Sequence, residues 1–304
     1  MRVALLFIDG VGVGAREASI NPLAERELLL SQFSDGTGAP LPRGGRRFDV
    51  DTTFGVPGRP QSASNQTAIF TGLPAPQLTG QHLLGYPNAA LKKLIAEHSI
   101  VRQLGAANRT ATFANAYPAA YLDALQLKRR ASQTPDVQIP QRYLKRIKPS
   151  ASTLAMSAGD VALRTFDDAR AGAGLTHDVE GRVARRRVDV PLRTADEAAE
   201  IFWKLSADFT LFEHYLADEA GHAQDRAGAL DALETFDRFA RAAIATRPDD
   251  AVLLICSDHG NVEDLSTRSH TLNKVSILVF GDSPQLPALQ TVADVGRAVL
   301  AVLR

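Results

Sequence analysis

The sequence is poor in the features that would tie a chain to an oxidising compartment, a membrane or a polyanion. Its 304 residues include one cysteine, Cys256, so no internal disulfide can form. Set in the apolar run AVLLIC, that thiol reads as buried and structural. An excess of either charge is equally missing. The 34 Lys and Arg are matched by 34 Asp and Glu, so no global field favours nucleic acid or an anionic membrane surface. Any anion must be caught by a local site. There is no long hydrophobic run at the start, where only Val3 to Ile8 is apolar before Asp9. That is too short for the core of a secretory signal and far too short for a bilayer span. It reads as a buried strand, and the chain as a cytoplasmic protein that binds neither membrane nor nucleic acid. The basic clusters KRR at 128–130 and RRR at 185–187 leave this unchanged, since no interleaved aromatics or nucleic-acid module accompany them.

What is present is an alternation of two patterns. Apolar runs bounded by Asp or Gly recur at Val3 to Ile8, Ala251 to Cys256 and Val275 to Phe280, as suits strands covered on both faces of a parallel sheet. Further strands are expected at 110–116 and 209–215. Apolar residues three or four apart predict helices over 88–98, 195–205, 227–245 and 291–303, with Phe202 and Trp203 packed against the sheet. Strands alternating with helices imply a doubly wound, mostly parallel α/β sheet with helices on both faces. Residues 117–193 are rich in Arg, Lys and Ala and show no clear strand before RRVDVPL. They are expected to form a small, mostly helical inserted cap, leaving 1–116 and 194–304 as the core. The stretch 34–60 reads as a long irregular loop rich in Gly and Pro.

Candidate functional residues gather at the predicted strand ends. Asp9 closes the first strand, where parallel sheets open onto ligand sites, although such an Asp also serves as a turn former. PQSASNQTAIFTG reads as a helix start, able to hold an anion and favour an ionised serine; Ser62 or Ser64 there could equally be a plain cap. YLADEAGHAQD sets Asp218 and His222 four residues apart, a carboxylate and imidazole pair suited to Zn or Mn. Asp258 and His259 leave the strand LLIC directly, and His270 precedes the strand at 275. Three aspartates and three histidines gathered in this way match the needs of two divalent ions.

FIDGVGVG followed by NPLA, the serine segment, DEAGH, SDHGNVED and SHT together resemble, in order, the motifs of the alkaline phosphatase superfamily. Within it they are most similar to the branch of cofactor-independent phosphoglycerate mutase and phosphopentomutase. The resemblance covers roughly 1–115 and 196–304 and implies an alkaline-phosphatase-like fold. It also picks out Ser62 over Ser64 and Thr67 as nucleophile, ten residues before Gly72. It implies that Asp218, His222 and His270 bind one metal, that Asp9, Ser62, Asp258 and His259 bind the other, and that the metals are Zn or Mn. Asn65 and Arg59 become candidates for contacting phosphate.

The implied function is two-metal phosphoryl transfer on a small phosphorylated metabolite through a phosphoserine. The chain departs from the mutases where they carry a Glu and a His, having Ala63 and Gln66 instead, and its cap is short. Both favour a phosphatase; a phosphomutase and a phosphodiesterase are the alternatives. Ser at position 64, where sulfatases resemble one another in carrying Pro, argues against sulfate esters. The presence of all seven candidate residues argues against a non-enzymatic metal-binding protein. His82, His177 and Asp178 are weighed as substrate contacts against turn or structural roles.

Overall fold

The computed structural model describes residues 1–133, 139–144, 146–283 and 285–303. Positions 134–138 and 145, within the expected cap, and 284 and 304, within the expected core, lie outside that set. The strands are β1 (Arg2–Ile8), β2 (Arg46–Val50), β3 (Ala111–Phe113), β4 (Ala116–Tyr117), β5 (Arg164–Thr165), β6 (Phe209–His214), β7 (Ala251–Cys256) and β8 (Val275–Phe280). Six form one sheet in the order β2-β8-β7-β1-β6-β3, and β4 pairs with β5 separately. β1, β3, β6 and β7 pair in parallel. β8 runs against both β7 and β2.

The unalternating apolar runs have the cause expected of them. Val3, Leu5 and Phe7 of β1 enter one core cluster with Val252, Leu254 and Cys256. Ala4, Leu6 and Ile8 enter the other with Leu253 and Ile255. Because successive side chains point to opposite faces, a strand covered on both sides must be apolar at every position. The sheet is thus α/β and mostly parallel, with helices on both faces.

The first face carries helices Ser62–Thr71, Ala89–His98, Ile100–Ala106 and Asp294–Leu303. The second carries Ala195–Lys204, opened by a Thr194–Glu197 capping box, and Arg226–Ala245. Phe202 is buried in this second layer. Trp203 is half-buried, its indole N–H donating to the Ala243 carbonyl at 2.9 Å.

Three details differ from the sequence expectation. The expected irregular stretch 34–60 contains β2, which adds an edge strand beside β8. The expected strand 110–116 divides into β3 and β4, separated by Ala114 and Asn115. Within 117–193 the elements are short, and the helix Ala151–Ala158 packs Ala151, Ala155 and Met156 into the same cluster as β1. Phe166, Ala169, Ala184, Val188 and Val190 form a small cluster of their own with Ala116. Among the described residues no helix is long and apolar enough to cross a membrane.

The Ser62–Thr71 helix is buried at every position after its first, which its small residues Ala63, Ser64 and Ala68 permit. Helix Asp294–Leu303 approaches it so closely that a Cβ on Gly296 would lie 2.4 Å from the Ile69 carbonyl oxygen. Alanine is the better helix former by about 1 kcal/mol, but relieving a clash with backbone costs about 1–3 kcal/mol. Gly296→Ala should therefore lower stability by up to about 2 kcal/mol in urea unfolding; a gain in stability would contradict this packing.

Candidate metal centre

The antiparallel direction of β8 is what completes the site. β1, β6 and β7 end at one edge of the sheet, delivering Asp9, the helix that carries Asp218, and the pair Asp258 and His259. β8 begins at that edge, so His270, just before it, arrives at the same place. Ser62 is the first residue of its helix, which starts after an extended Gln61 and ends at Gly72 in the left-handed conformation.

All seven residues expected at the site converge. One oxygen each from Asp9 and Asp258 and a nitrogen of His259 lie within 4.8 Å of one another, as do atoms of Asp218, His259 and His270. His259 Nε2 is 3.5 Å from Asp9 Oδ1, 3.4 Å from Asp258 Oδ2 and 2.9 Å from Ser62 Oγ. His222 stands at the exposed rim, its Nε2 3.3 Å from Asp218 Oδ2 and 3.1 Å from His270 Nε2. His259 thus reaches both groupings, and its ring stacks on that of His270 at 3.7 Å.

Three observations fit this donor set to divalent cations. His270 Nδ1 lies 2.8 Å from the Pro60 carbonyl and His222 Nδ1 2.7 Å from that of Arg268. A carbonyl can only accept, so each Nδ1 carries a proton and each Nε2 is the nitrogen left for a metal. Two such nitrogens 3.1 Å apart beside a carboxylate need a positive centre, which in the metal-free chain is the proton that Asp218 holds on His222. Asp9 Oδ1 is buried with no hydrogen-bond partner among the described residues. Finally, three aspartates are crowded together. Burial and the charges of Asp258 and Asp218 hold the Asp9 carboxyl well above the usual carboxylate range. Burial and Asp218 push Asp258 up to about 7. Asp218 goes the other way: burial opposes its ionisation, but hydrogen bonding from His222 and the charge of His259 bring it down to about 2. Its hydrogen bond raises His222 to about 9, while burial lowers His259 and His270.

Three residues that hold the site were not singled out for this role in the sequence. Gln66, one turn after Ser62, donates to Asp9 Oδ2 at 3.2 Å and to Asp258 Oδ2 at 3.0 Å, bridging the two carboxylates. The spacing of four from Ser62 was the available signal. Asn261 donates to Asp218 Oδ1 at 2.7 Å. Buried Glu263 accepts from the N–H groups of Gly12 and Asn261 and from the side chains of Thr271 and Asn273. It thereby ties together the loops after β1 and β7 and before β8. A Cβ on Gly12 would lie 2.3 Å from Glu263 Oε1, so the first loop can approach only as glycine.

The expected phosphate contacts fare differently. Asn65 is fully buried, and its amide N–H groups donate to the carbonyls of Thr52 and Asp258, both at 2.9 Å. It is a positioning residue for Asp258 rather than a substrate donor, because both of its N–H groups are already engaged. Arg59 is exposed at the rim and donates to the His270 carbonyl. His82 turns toward the Val56 carbonyl at 3.3 Å, and Asp178 accepts from the Val183 N–H. His177 stacks on Tyr215 at 4.5 Å. Beside Ser62 and Asp9 opens a cleft of about 420 Å³, whose wall includes Gln66, Glu213 and several tyrosines.

Two outcomes follow. Asn65→Ala should cost about 1–3 kcal/mol in denaturant unfolding, since it strands two buried carbonyls. Adding Mn to metal-stripped protein should raise Tm more at pH 8 than at pH 6. The reason is that Asp9, Asp258 at about 7 and His222 at about 9 must surrender protons to a cation. These groups have raised folded-state pKa values, so their contribution to metal-free stability is lost as pH rises, and the metal-free Tm falls across the same window. Scanning calorimetry checks both trends; a smaller rise at pH 8 contradicts the ligand set.

A family profile described as the metalloenzyme superfamily matches residues 184–304, a stretch holding Asp218, His222, Asp258, His259 and His270. The phosphopentomutase of Deinococcus radiodurans is 35% identical over 105 residues, 33% of this chain and 27% of that one. The phosphopentomutase of Helicobacter acinonychis is 26% identical over 142 residues, 46% of this chain and 33% of that one. The chain thus spans about a third or less of these relatives' length. Alkaline phosphatase from the Antarctic bacterium TAB5 superposes with a TM-score of 0.55 at 14% identity, covering 99% of this chain and 98% of its own. That of a Shewanella species gives 0.52 at 12% identity, covering both chains fully. These superpositions speak for the fold alone. The profile match, confined to residues 184–304, likens that part of the chain to the metalloenzyme superfamily, and the superpositions give the whole chain an alkaline-phosphatase-like fold.

Proposed function

We propose that the chain is a phosphatase that takes the phosphoryl group of a small phosphorylated metabolite onto Ser62 and releases it to water, with two divalent ions, Zn or Mn. The observation that carries this reading is the position of Ser62 Oγ, at a helix start, 2.9 Å from His259 Nε2 and open to the cleft. Asp9, Asp258, His259 and Ser62 would hold one ion, and Asp218, His222 and His270 the other. When bound, the ions supply the positive charge that lowers the pKa of a serine hydroxyl and stabilises the phosphoryl oxygens and the departing alcohol.

The chain's own residues do the rest. The positive end of the Ser62–Thr71 helix favours both an ionised Ser62 and a phosphate beside it. Ser64 takes no part in capturing the anion, since its N–H is given to the Leu83 carbonyl and its hydroxyl to that of Gln61. Gln66 spaces Asp9 and Asp258 without adding charge. Arg59, tethered through one nitrogen, has further donors to offer the phosphate from the rim.

A phosphomutase is the second reading, favoured by the phosphopentomutases among the relatives. Ala63 and Gln66, standing where mutases carry a Glu and a His, support the phosphatase instead. A cytoplasmic setting belongs to the same proposal and is supported by the single unpaired, buried Cys256. Release of inorganic phosphate from a panel of phosphomonoesters, measured beside transfer within a pentose phosphate, separates the two activities. Ser62→Ala should lower kcat/KM at least about a thousandfold while elemental analysis still finds two ions. Full turnover by that variant would remove Ser62 from the mechanism.

A further inference from the structure

The cleft beside Ser62 has an unusual lining. The chain contains five tyrosines, and four of them, Tyr86, Tyr117, Tyr121 and Tyr215, face this space. At its wall lies Glu213, 5% exposed, next to the sheet edge that carries the metal-ligand candidates. Its backbone is clamped by Asn115 through two hydrogen bonds of 2.8 and 2.7 Å, and its Oε2 accepts from the Ser152 hydroxyl at 2.6 Å. The carboxylate is therefore held in place. No Lys, Arg or His among the described residues forms an ion pair with it.

A buried carboxylate is ordinarily paired or neutralised. Here burial pushes Glu213 up to about 7, against the hydrogen bond from Ser152, and burial raises the hydroxyls of Tyr117, Tyr121 and Tyr215, helped by Glu213 at Tyr117, by Tyr86 and then Glu213 at Tyr121, and by Glu219 and then Glu213 at Tyr215. The three rings line the same cleft as Glu213, and the rings of Tyr117 and Tyr121 stack on each other at 5.6 Å. Arg186 and Arg187 line an adjoining hollow that shares Tyr117, Tyr215 and Glu219 with the cleft. The charge of Arg187 acts on Glu219 and is absent from the causes acting on Glu213. Among the described residues, the charged groups that line the cleft itself are Asp9, Glu213 and Glu219, with no basic one.

A second anionic group on the alcohol half of a substrate would meet three carboxyl groups here and, among the described residues, no cation to offset them. A positively charged one would meet aromatic rings and Glu213, which lacks a cationic partner among the described residues. We propose that the cleft admits a phosphomonoester whose alcohol carries an alkylammonium group, seated against the Glu213 carboxylate and the rings of Tyr117, Tyr121 and Tyr215. This rests on the phosphoryl-transfer reading of the same site, to which it adds the class of leaving group.

The test is calorimetric binding to the Ser62→Ala protein loaded with Mn. The probes are choline phosphate, its uncharged isostere in which carbon replaces the nitrogen, and a pentose phosphate. The ammonium ester should bind about tenfold more tightly than the isostere. Adding Glu213→Gln, which keeps the shape and the Ser152 contact, should cut that ratio to about threefold or less. Tyr121→Leu, at the half-buried wall, should lower the ratio as well and serves where the Glu213 variant does not fold. Equal affinities, absence of binding, tighter binding of the pentose phosphate, or a ratio untouched by either substitution overturns the proposal. Phosphate release by the unmodified metal-loaded protein is read separately. If it is absent for every ester, the phosphoryl-transfer reading falls, while the binding ratio still decides the leaving group.

Discussion

The constraint on which the site depends is the burial of three aspartates at one edge of the sheet. Asp9 and Asp258 meet there, bridged by the neutral Gln66 with His259 Nε2 beside both, and Asp218 adds its charge to both. Left to itself such a group repels, and two of the three carboxyls are raised, Asp258 to about 7. The surrounding polypeptide does not relieve this with lysine or arginine. It supplies imidazoles whose outer nitrogens are fixed by backbone carbonyls, so that their free nitrogens add further electron density to the same place. A polypeptide that concentrates donors in this way is organised around missing positive charge. Glu263 makes the concentration mechanically possible, because one buried carboxylate receives hydrogen bonds from all three loops that deliver the ligands from β1, β7 and β8.

How much of this was legible in the sequence follows from the range of each interaction. Asp9, Asp258 and His259 could be read because they follow apolar runs closely, and runs buried on both faces are conspicuous. Asp9 after LLFI and Asp258 after LLIC are local signals of this kind. The helices with a one-sided apolar face were legible for the same reason. The direction of β8 was not, because pairing direction leaves little trace in six apolar residues, yet it is what carries His270 to the others. β2 escaped because its half-exposed RRFDV lacks the continuous apolar character of an inner strand. Asn65 shows a different failure. The motif placed it correctly beside the nucleophile, but only the fold reveals that the Thr52 and Asp258 carbonyls consume its donors.

The tyrosine-lined cleft was hidden for a related reason. Its members come from separate stretches, Tyr86 after the serine helix, Tyr117 and Tyr121 after β3, and Tyr215 at the end of β6, and no spacing connects them. β6 joins the two halves of the site. Its end carries Glu213 and Tyr215 into the cleft and leads directly into the helix that bears Asp218 and His222. Two residues of the cleft wall and one pair suited to hold a cation are therefore set by one strand, itself paired along its length with β1. A change that shifts β6 would move both at once, whereas a change in Tyr121, which stands on a short helix outside the sheet, would alter the cleft and leave the ligand geometry in place. The cleft is accordingly open to variation at the wall contributed by residues after β3, while the placement of the acidic and imidazole groups is fixed by the sheet.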